Sequence, residues 1–504
     1  MLVITASLPL DDSGPTQVLV TPVVSGSVLP GTSRLTRRAS RKAIDSLAVL
    51  PLANDGGDVE MDYLSDGVTE SIINALSTLP KLRVVPRSTV FRYKHVDIDP
   101  QLAAAELGVR AVLTGRLRQM NDRLIIAVEL IDIERDSQLW GEHYNRQLDD
   151  VFSVQEEIAR EISDKLRLKL TAKEKKQLAR RYTDSAAAYQ AYLKGRFYWY
   201  KRSLEGLNRS ADYFQEALDL DPGYALAYAG LADSYAVLGI AEYGIMAPSE
   251  AMPMARAAAD KALAIDKTLV EAQTTLAHVA AFYAWDWANA DRAFRRAIEL
   301  NPKYALAHHW YALFLAAMER HDEAITEERR AQEIEPLSLI INKNVGTILY
   351  YAGQLEPSIE QYQKTLELET HFARTRFYLG LAYVQQGKYE GAINEYEEAI
   401  KFSGGGTVLD ALLAHAQALS GNREAADAIL TKLKKRRETQ YVPAFNIALI
   451  YIALGEVDLA FEWLDKAYDE RSSWLVSLKI EPLLDSLRSD PRFAALVSRI
   501  GLPA

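Results

Sequence analysis

The sequence predicts a small α/β sandwich domain followed by an all-α superhelical solenoid of helix pairs. Three observations predict it. A 34-residue period runs through the C-terminal two-thirds of the chain. Short apolar runs alternate with amphipathic stretches over residues 45–170. At 504 residues the chain is also too long for one ordinary hydrophobic core.

The period is read from segment 300–325, LNPKYALAHHWYALFLAAMERHDEAI, two amphipathic stretches joined by a short polar turn. Steps of 34 residues from Pro302 land on Pro336, Thr370, Gly404, Glu438 and Ser472, each between helical patterns. Pro and Gly at such points end helices. The register requires a small residue where the two helices of a pair cross, at Ala232, Ala277, Ala312, Gly346, Gly380, Ala414 and Ala448. Two second-helix positions, seven residues apart, must also be small so that the next helix can approach. The first holds Ser210, Ala255, Ala290, Ala324, Ser358, Ala392, Ala426 and Ala460; the second holds Ala217, Ala262, Ala297, Ala331, Thr365, Ala399, Leu433 and Ala467. Fifteen of these sixteen are Ala, Ser or Thr. Upstream, Pro222 to Lys267 spans 45 residues, the excess lying in GIAEYGIMAPSEAM, read as a lengthened turn. Eight helix pairs over about residues 185–472 result, the pattern of a tetratricopeptide (TPR) array. A terminal repeat has a face without a neighbour, so the apolar stripe of residues 474–502 reads as a polar-backed cap.

Residues 1–42 are rich in Ser, Thr, Pro and Gly without a period and read as a disordered linker. Its end, RLTRRASRK, carries five bases. It reads as a solvated linker, with a juxtamembrane patch or phosphorylation at Ser40 as alternatives. From Asp45 to Leu170 the expected order is β-α-β-α-β-β-β-α: strands in SLAVLPLAN and LRVVPRSTV, a helix capped by Asp99-Pro100 and closed by Gly108, then a three-strand meander and a last helix.

SLAVLPL, YLSDGVTESIINALS, LRVVPRSTVFRYK, ELGVRAVLTGRLR and LWGEHYNRQLDDVFSVQEEIAREI resemble the TolB amino-terminal-like (FlgO-like) domain of bacteria. AYLKGRFYW, YALAYAGLADSYAVLG, WDWANADRAFRRAIELNP and LRSDPRF resemble the array that follows that domain. The resemblance implies the sensory or scaffolding end of a larger protein, whose partners in cis are a Ser/Thr kinase, a class III nucleotide cyclase or a winged-helix DNA-binding domain. No such head is recognisable in this sequence.

The composition narrows the chemistry. There are no cysteines, which removes disulfides, thiolate metal sites and cysteine nucleophiles. Net charge is −10, so no global field attracts nucleic acid. No run approaches the ~18 apolar residues of a membrane helix, and a cytoplasmic chain without direct membrane insertion is expected. Kinase signatures, a phosphate loop and a nucleophile elbow are missing, and Ser403-Gly404-Gly405-Gly406 lacks a preceding strand and reads as a turn. Asp66 and Glu70 could pair as acid and base, but read as complements of a helix dipole. His308-His309 point about 100° apart on a helix and do not suit one metal ion, while Trp285 and Trp287 read as packing. No catalytic residue, metal or cofactor is expected.

What remains is the concave face of the array. The register places Asp233, Thr274, His278, His309, Lys343, Thr347, Tyr350, Arg374, Phe377 and His415 there. That mix suits other proteins or peptides, an extended peptide or a partner helix, with Lys343 and Arg374 facing solvent. The expected function is a non-catalytic protein–protein interaction scaffold in bacterial signalling or envelope-linked assembly. The alternative is a detached regulatory region of a kinase, cyclase or winged-helix regulator.

Overall fold

Strands β1 (Ser46–Val49) and β2 (Ala53–Asn54) lead into helix α1 (Asp62–Ser77), followed by β3 (Arg83–Val84) and α2 (Arg87–Val90). Then come α3 (Pro100–Leu107), the meander β4 (Ala111–Met120), β5 (Arg123–Asp132) and β6 (Ser137–Gln147), and α4 (Val151–Lys165). The computed structural model describes residues 44–503 apart from 58–60, 95, 97, 179–180 and 241; the linker and Ser40 readings lie outside the described residues. The sheet order is β3-β1-β4-β5-β6, with β1 parallel to both neighbours and the meander antiparallel. Leu124, Ile126, Val128 and Leu130 alternate inward along β5 and share a core with Val68, Ile72 and Leu76 of α1 and Ile158 and Ile162 of α4. Asp99 caps α3 by accepting from the Gln101 amide at 2.8 Å, and Gly108 closes it with φ +59°. The run 82–90 is mostly not a strand: only Arg83–Val84 pairs with β1, because Pro86 has no amide to donate and instead starts α2.

A short helix, α5 (Ala172–Leu178), leads to the solenoid. Its first two pairs are α6/α7 (Ala186–Lys201, Leu204–Leu220) and α8/α9 (Ala225–Leu238, Pro248–Ile265). Next are α10/α11 (Val270–Val279, Trp287–Leu300), α12/α13 (Ala305–Ala317, His321–Ile334) and α14/α15 (Leu339–Tyr351, Leu355–Leu368). The last three are α16/α17 (Ala373–Gln385, Tyr389–Ser403), α18/α19 (Thr407–Leu419, Arg423–Arg437) and α20/α21 (Ala444–Leu454, Val457–Asp469). The small residues explain the stacking: all sixteen second-helix positions named above are 0% exposed. At Gly346 and Gly380 an added Cβ would lie 2.4 Å from the ring of Tyr362 or Tyr396, so the tyrosine of the second helix forces glycine on the first. Successive first helices from α6 to α16 pack on one another, as do α18 and α20, and the face that they line is the inner face of the array.

Two contacts tie distant parts together. Helix α1 lies on α6, where a Cβ at Gly67 would meet Leu193 at 2.7 Å and Ser71 Oγ sits 2.6 Å from Tyr189 Oη. The C-terminal segment divides at Asp490-Pro491, where Asp490 caps α22 (Pro491–Ile500). Helix α22 covers α21, with Arg492 bonded to Asp458 at 2.8 Å and Arg499 paired with Asp465. Residues 473–487, expected as part of the same cap, instead cross the inner face of the array in two 3₁₀ turns.

Candidate functional site

The inner face was expected to be an open groove. The structure corrects this: Asp233, Thr274, His278, His309, Lys343, Thr347, Tyr350, Phe377 and His415 are all buried, and Arg374 is half-buried. The physical reason differs along the array: Asp233, Thr274, His278 and His309 are held by side chains and carbonyls of their own and neighbouring repeats, whereas Tyr350, Arg374 and Phe377 meet two segments outside the 34-residue repeat.

From the N-terminal end, the Thr275 hydroxyl donates to Asp233, whose carboxyl burial pushes up to about 7. Thr274 returns its hydroxyl to its own helix, at the Val270 carbonyl 2.8 Å away. His278 lies between Phe282 and Trp310, centroids 4.7 and 4.4 Å away; burial pushes its pKa down to about 3, so the ring is neutral. His309 Nδ1 is 3.0 Å from Glu328, and the Asn344 amide meets the same ring at 2.9 Å. Lys343 bonds Asn344 and holds its ammonium 4.1 Å over the Tyr378 ring. Desolvation lowers its pKa to about 8. Neither Lys343 nor Arg374 is a free solvent-facing side chain.

The first filling segment is the insertion after α8. Glu242 accepts from Arg374 at 2.9 Å and from the Tyr378 hydroxyl, and Arg374 stacks 3.5 Å over Tyr243. The second is 473–487. Trp474 stacks on Phe445 at 5.4 Å and 4° and lies 6.4 Å from Phe377. Glu481, 0% exposed, accepts from Tyr350 and Tyr351 at 3.3 Å each and from the Leu483 amide at 3.2 Å. Thr347 accepts from Tyr362 at 3.3 Å nearby. His415, pushed down to about 4 by burial, has no partner for Nδ1 among the described residues.

Other candidates resolve differently. Asp66 and Glu70 are not merely dipole complements. Asp66 pairs with Lys94 at 2.8 Å. Glu70 accepts from Arg196 at 2.8 Å and Tyr200 at 3.1 Å, with Arg87 3.1 Å away. Burial raises the Glu70 pKa, but Arg196 and Arg87 outweigh it and hold the carboxyl below its ordinary range. His308 and His309 take separate glutamates, Glu327 at 2.6 Å and Glu328. Trp285 packs on Tyr468, centroids 5.2 Å apart, and Trp287 donates to the Gly501 carbonyl at 2.6 Å. A shallow depression on the sheet is lined by Asp55, Arg116, Arg118 and His143. The register could not find Glu242, Glu481 or Glu70, whose partners lie 126 to 136 residues away. The available signals were the long insertion and a lone Glu-Pro inside an apolar run.

Comparison with known proteins gives three TPR family models, matching residues 293–326, 346–403 in two overlapping stretches, and 444–472. TPR repeats are therefore recognised in the array. Over residues 42–161 the matching model is the second domain of HilA/YgeH-like transcriptional regulators, where the sequence resembled a TolB amino-terminal-like domain. Among curated proteins, "Putative adenylate cyclase 3" of Rhizobium meliloti (strain 1021) is 37% identical over 187 residues, 37% of this chain and 32% of that protein. Tetratricopeptide repeat protein 6 of Homo sapiens is 24% identical over 193 residues, 38% of this chain and 35% of that protein. The chain thus spans about a third of the length of either relative. Solved structures that it matches include Pseudomonas aeruginosa pilF, TM-score 0.33, 18% identical, covering 46% of this chain and 96% of that one. The APC/C hetero-tetramer Cut9-Hcn1 matches with TM-score 0.41 and 15% identity over 70% of this chain and 72% of that one. No helix among the described residues is long and apolar enough to cross a membrane.

Proposed function

We propose that the chain is a non-catalytic protein–protein interaction scaffold in bacterial signalling, in which the α/β domain and the solenoid act as one sensor unit. The observation that carries this reading is the buried network centred on Glu70. One carboxylate of α1 holds Arg196 and Tyr200 of the first helix pair and lies beside Arg87 of α2. Glu335, after the fourth pair, lies half-buried in the field of the same arginine. A partner that shifts the α/β domain therefore strains two separate parts of the array, because breaking a buried ion pair leaves an uncompensated charge. The TolB-like resemblance and the HilA/YgeH-like match both fit a regulatory domain.

A second reading has its own observation: the Rhizobium meliloti relative is about three times longer than the stretch it shares with this chain. The chain would then be the regulatory part of a larger signalling protein of cyclase or transcription-regulator type. Affinity capture from a bacterial lysate with the full chain as bait tests the scaffold reading. The expected result is a specific partner set that Glu70→Ala depletes, with no ATP turnover above a buffer control. ATP turnover by the purified chain, or capture of nothing beyond control beads, overturns it.

A further inference from the structure

Segment 473–487 sits on the solenoid in the manner of a bound peptide. It follows neither the 34-residue register nor the α-helical form of the repeats, and runs instead as two 3₁₀ turns, Ser473–Ser477 and Pro482–Leu487. Its anchors are those of a peptide in an aromatic-lined groove: Trp474 lies flat on Phe445 of α20 and near Phe377 of α16. Seven residues further on, Glu481 reaches Tyr350 and Tyr351 of α14. Leu475, Leu478 and Leu484 are 0% exposed beside these anchors.

The fit is incomplete in polar terms. Asn446 of α20, next to Phe445, is 0% exposed, yet neither its amide oxygen nor its amide nitrogen has a partner among the described residues. His415 Nδ1 on α18 and the Trp474 indole nitrogen are in the same condition. Buried polar atoms are ordinarily satisfied, and each of these orphans on α18, α20 and the segment marks hydrogen-bonding capacity that the folded chain leaves unused. An asparagine amide can donate to and accept from a peptide main chain at once. The inner face therefore offers more to an extended peptide than the chain's own segment takes from it. The insertion carrying Glu242 differs: its carboxylate is fully engaged by Arg374 and Tyr378.

We propose that residues 473–487 are an intramolecular ligand holding the inner face of α14, α16 and α20 closed, and that this face serves a partner peptide of the same chemistry. The partner segment carries an aromatic ring and, seven residues later, a carboxylic acid. This rests on the scaffold reading and adds to it a site and the means by which it is masked. Release of the segment exposes a stacking platform at Phe445 and Phe377, two tyrosine hydroxyls that bind a carboxyl, and the free amide of Asn446.

The test uses the full chain and a fluorescent synthetic peptide spanning residues 471–489, with a scrambled peptide as control. Trp474→Ala removes the main anchor; it is expected to bind the native peptide at least tenfold more tightly than the unaltered chain does and to ignore the scrambled one. Hydrogen exchange is expected to rise in residues 339–351 and 444–454 and to stay unchanged in residues 111–147. Glu481→Ala releases the segment through its other anchor, leaves both tyrosine hydroxyls in place for the peptide, and is expected to give the same gain in peptide affinity should Trp474→Ala fail to fold. Equal peptide affinity in variant and unaltered chain, or exchange rising evenly through the whole solenoid, overturns the proposal and makes the segment an integral cap. Lysate capture by the unaltered chain is a separate readout, so loss of the latch idea leaves the scaffold reading standing.

Discussion

Glu242 and Glu481 both bring a carboxylate onto the inner face from segments outside the repeat, and they meet opposite surroundings. Glu242 lies among cations: Arg374 bonds it directly, and Lys343 sits over the tyrosine that also bonds it. Glu481 is fully buried beside two tyrosines, and among the described residues no Lys or Arg pairs with its carboxylate; Arg488 bonds only its main-chain carbonyl. Burial pushes Glu481 up to about 7, against an ordinary value of 4.5. The same side chain is thus held by counter-charge at one site and, at the other, by three hydrogen-bond donors while burial favours its protonated form. Where a counter-charge can reach, an ion pair forms; where an apolar segment covers the site, a neutral acid is the cheaper state.

The largest effect expected from breaking this comparison is on the apolar side. Leu484→Ala, at a 0% exposed position, should lower stability by about 2–5 kcal/mol in denaturant titration. A loss below about 0.5 kcal/mol would show that segment 473–487 is not packed as described.

The pH response comes next. The Glu481 carboxyl binds its proton more tightly folded than unfolded, so its contribution is fully present below pH 4.5 and is lost as pH rises through about 7. The gap corresponds to on the order of 3 kcal/mol. Tyr350 and Tyr351 of α14 and Asp485 of the same segment face this carboxyl. Asp233, raised to about 7 by its own burial, titrates in the same window. The measurement is therefore the difference between the unaltered chain and Glu481→Gln. The variant should gain stability relative to the unaltered chain on going from pH 5 to pH 8, and parallel pH profiles would contradict the neutral-acid account.

Smaller effects separate repeat from filling. Gly380→Leu drives a side chain into Tyr396 and should cost about 1–3 kcal/mol, whereas exposed Glu390→Leu on α17 should change thermal stability by about 0.5 kcal/mol or less. Equal melting shifts at both sites would mean the register is wrong. Glu242→Gln should cost about 1 kcal/mol, because its ion pair with Arg374 is partly solvent-screened. That loss should shrink at high salt, while the cost of Leu484→Ala should not.

The repeat was legible because small residues at fixed spacing are a local demand: Ala324, Ser358 and Ala392 occupy the same position, and each is 0% exposed. Register also fixes which side of a helix a residue occupies, and the ten positions named for the groove rest on that alone. Their burial was not legible. Whether Lys343 faces water depends on Glu242 and Tyr378, which come from different repeats, and no periodicity encodes what an insertion does after it leaves the repeat. Glu70 was read from its position in a helix, while its role comes from Arg196, 126 residues later. The run 82–90 went astray at Pro86, where a missing amide outweighed an apolar strand pattern.

The central claim is that the chain's own segments fill the inner face, and the absence of cysteine makes it directly measurable, because any introduced thiol is unique. Thr347→Cys and His415→Cys place a thiol at inner positions that are 1% and 2% exposed, and Glu390→Cys places one on an exposed helix turn. The rate of modification by a water-soluble maleimide is then compared across the three folded variants. The account predicts that both inner thiols react at least about a hundredfold more slowly than the Glu390→Cys thiol, a difference of about 2.7 kcal/mol in opening. Inner thiols that react as fast as the exposed one would show an open groove and contradict it.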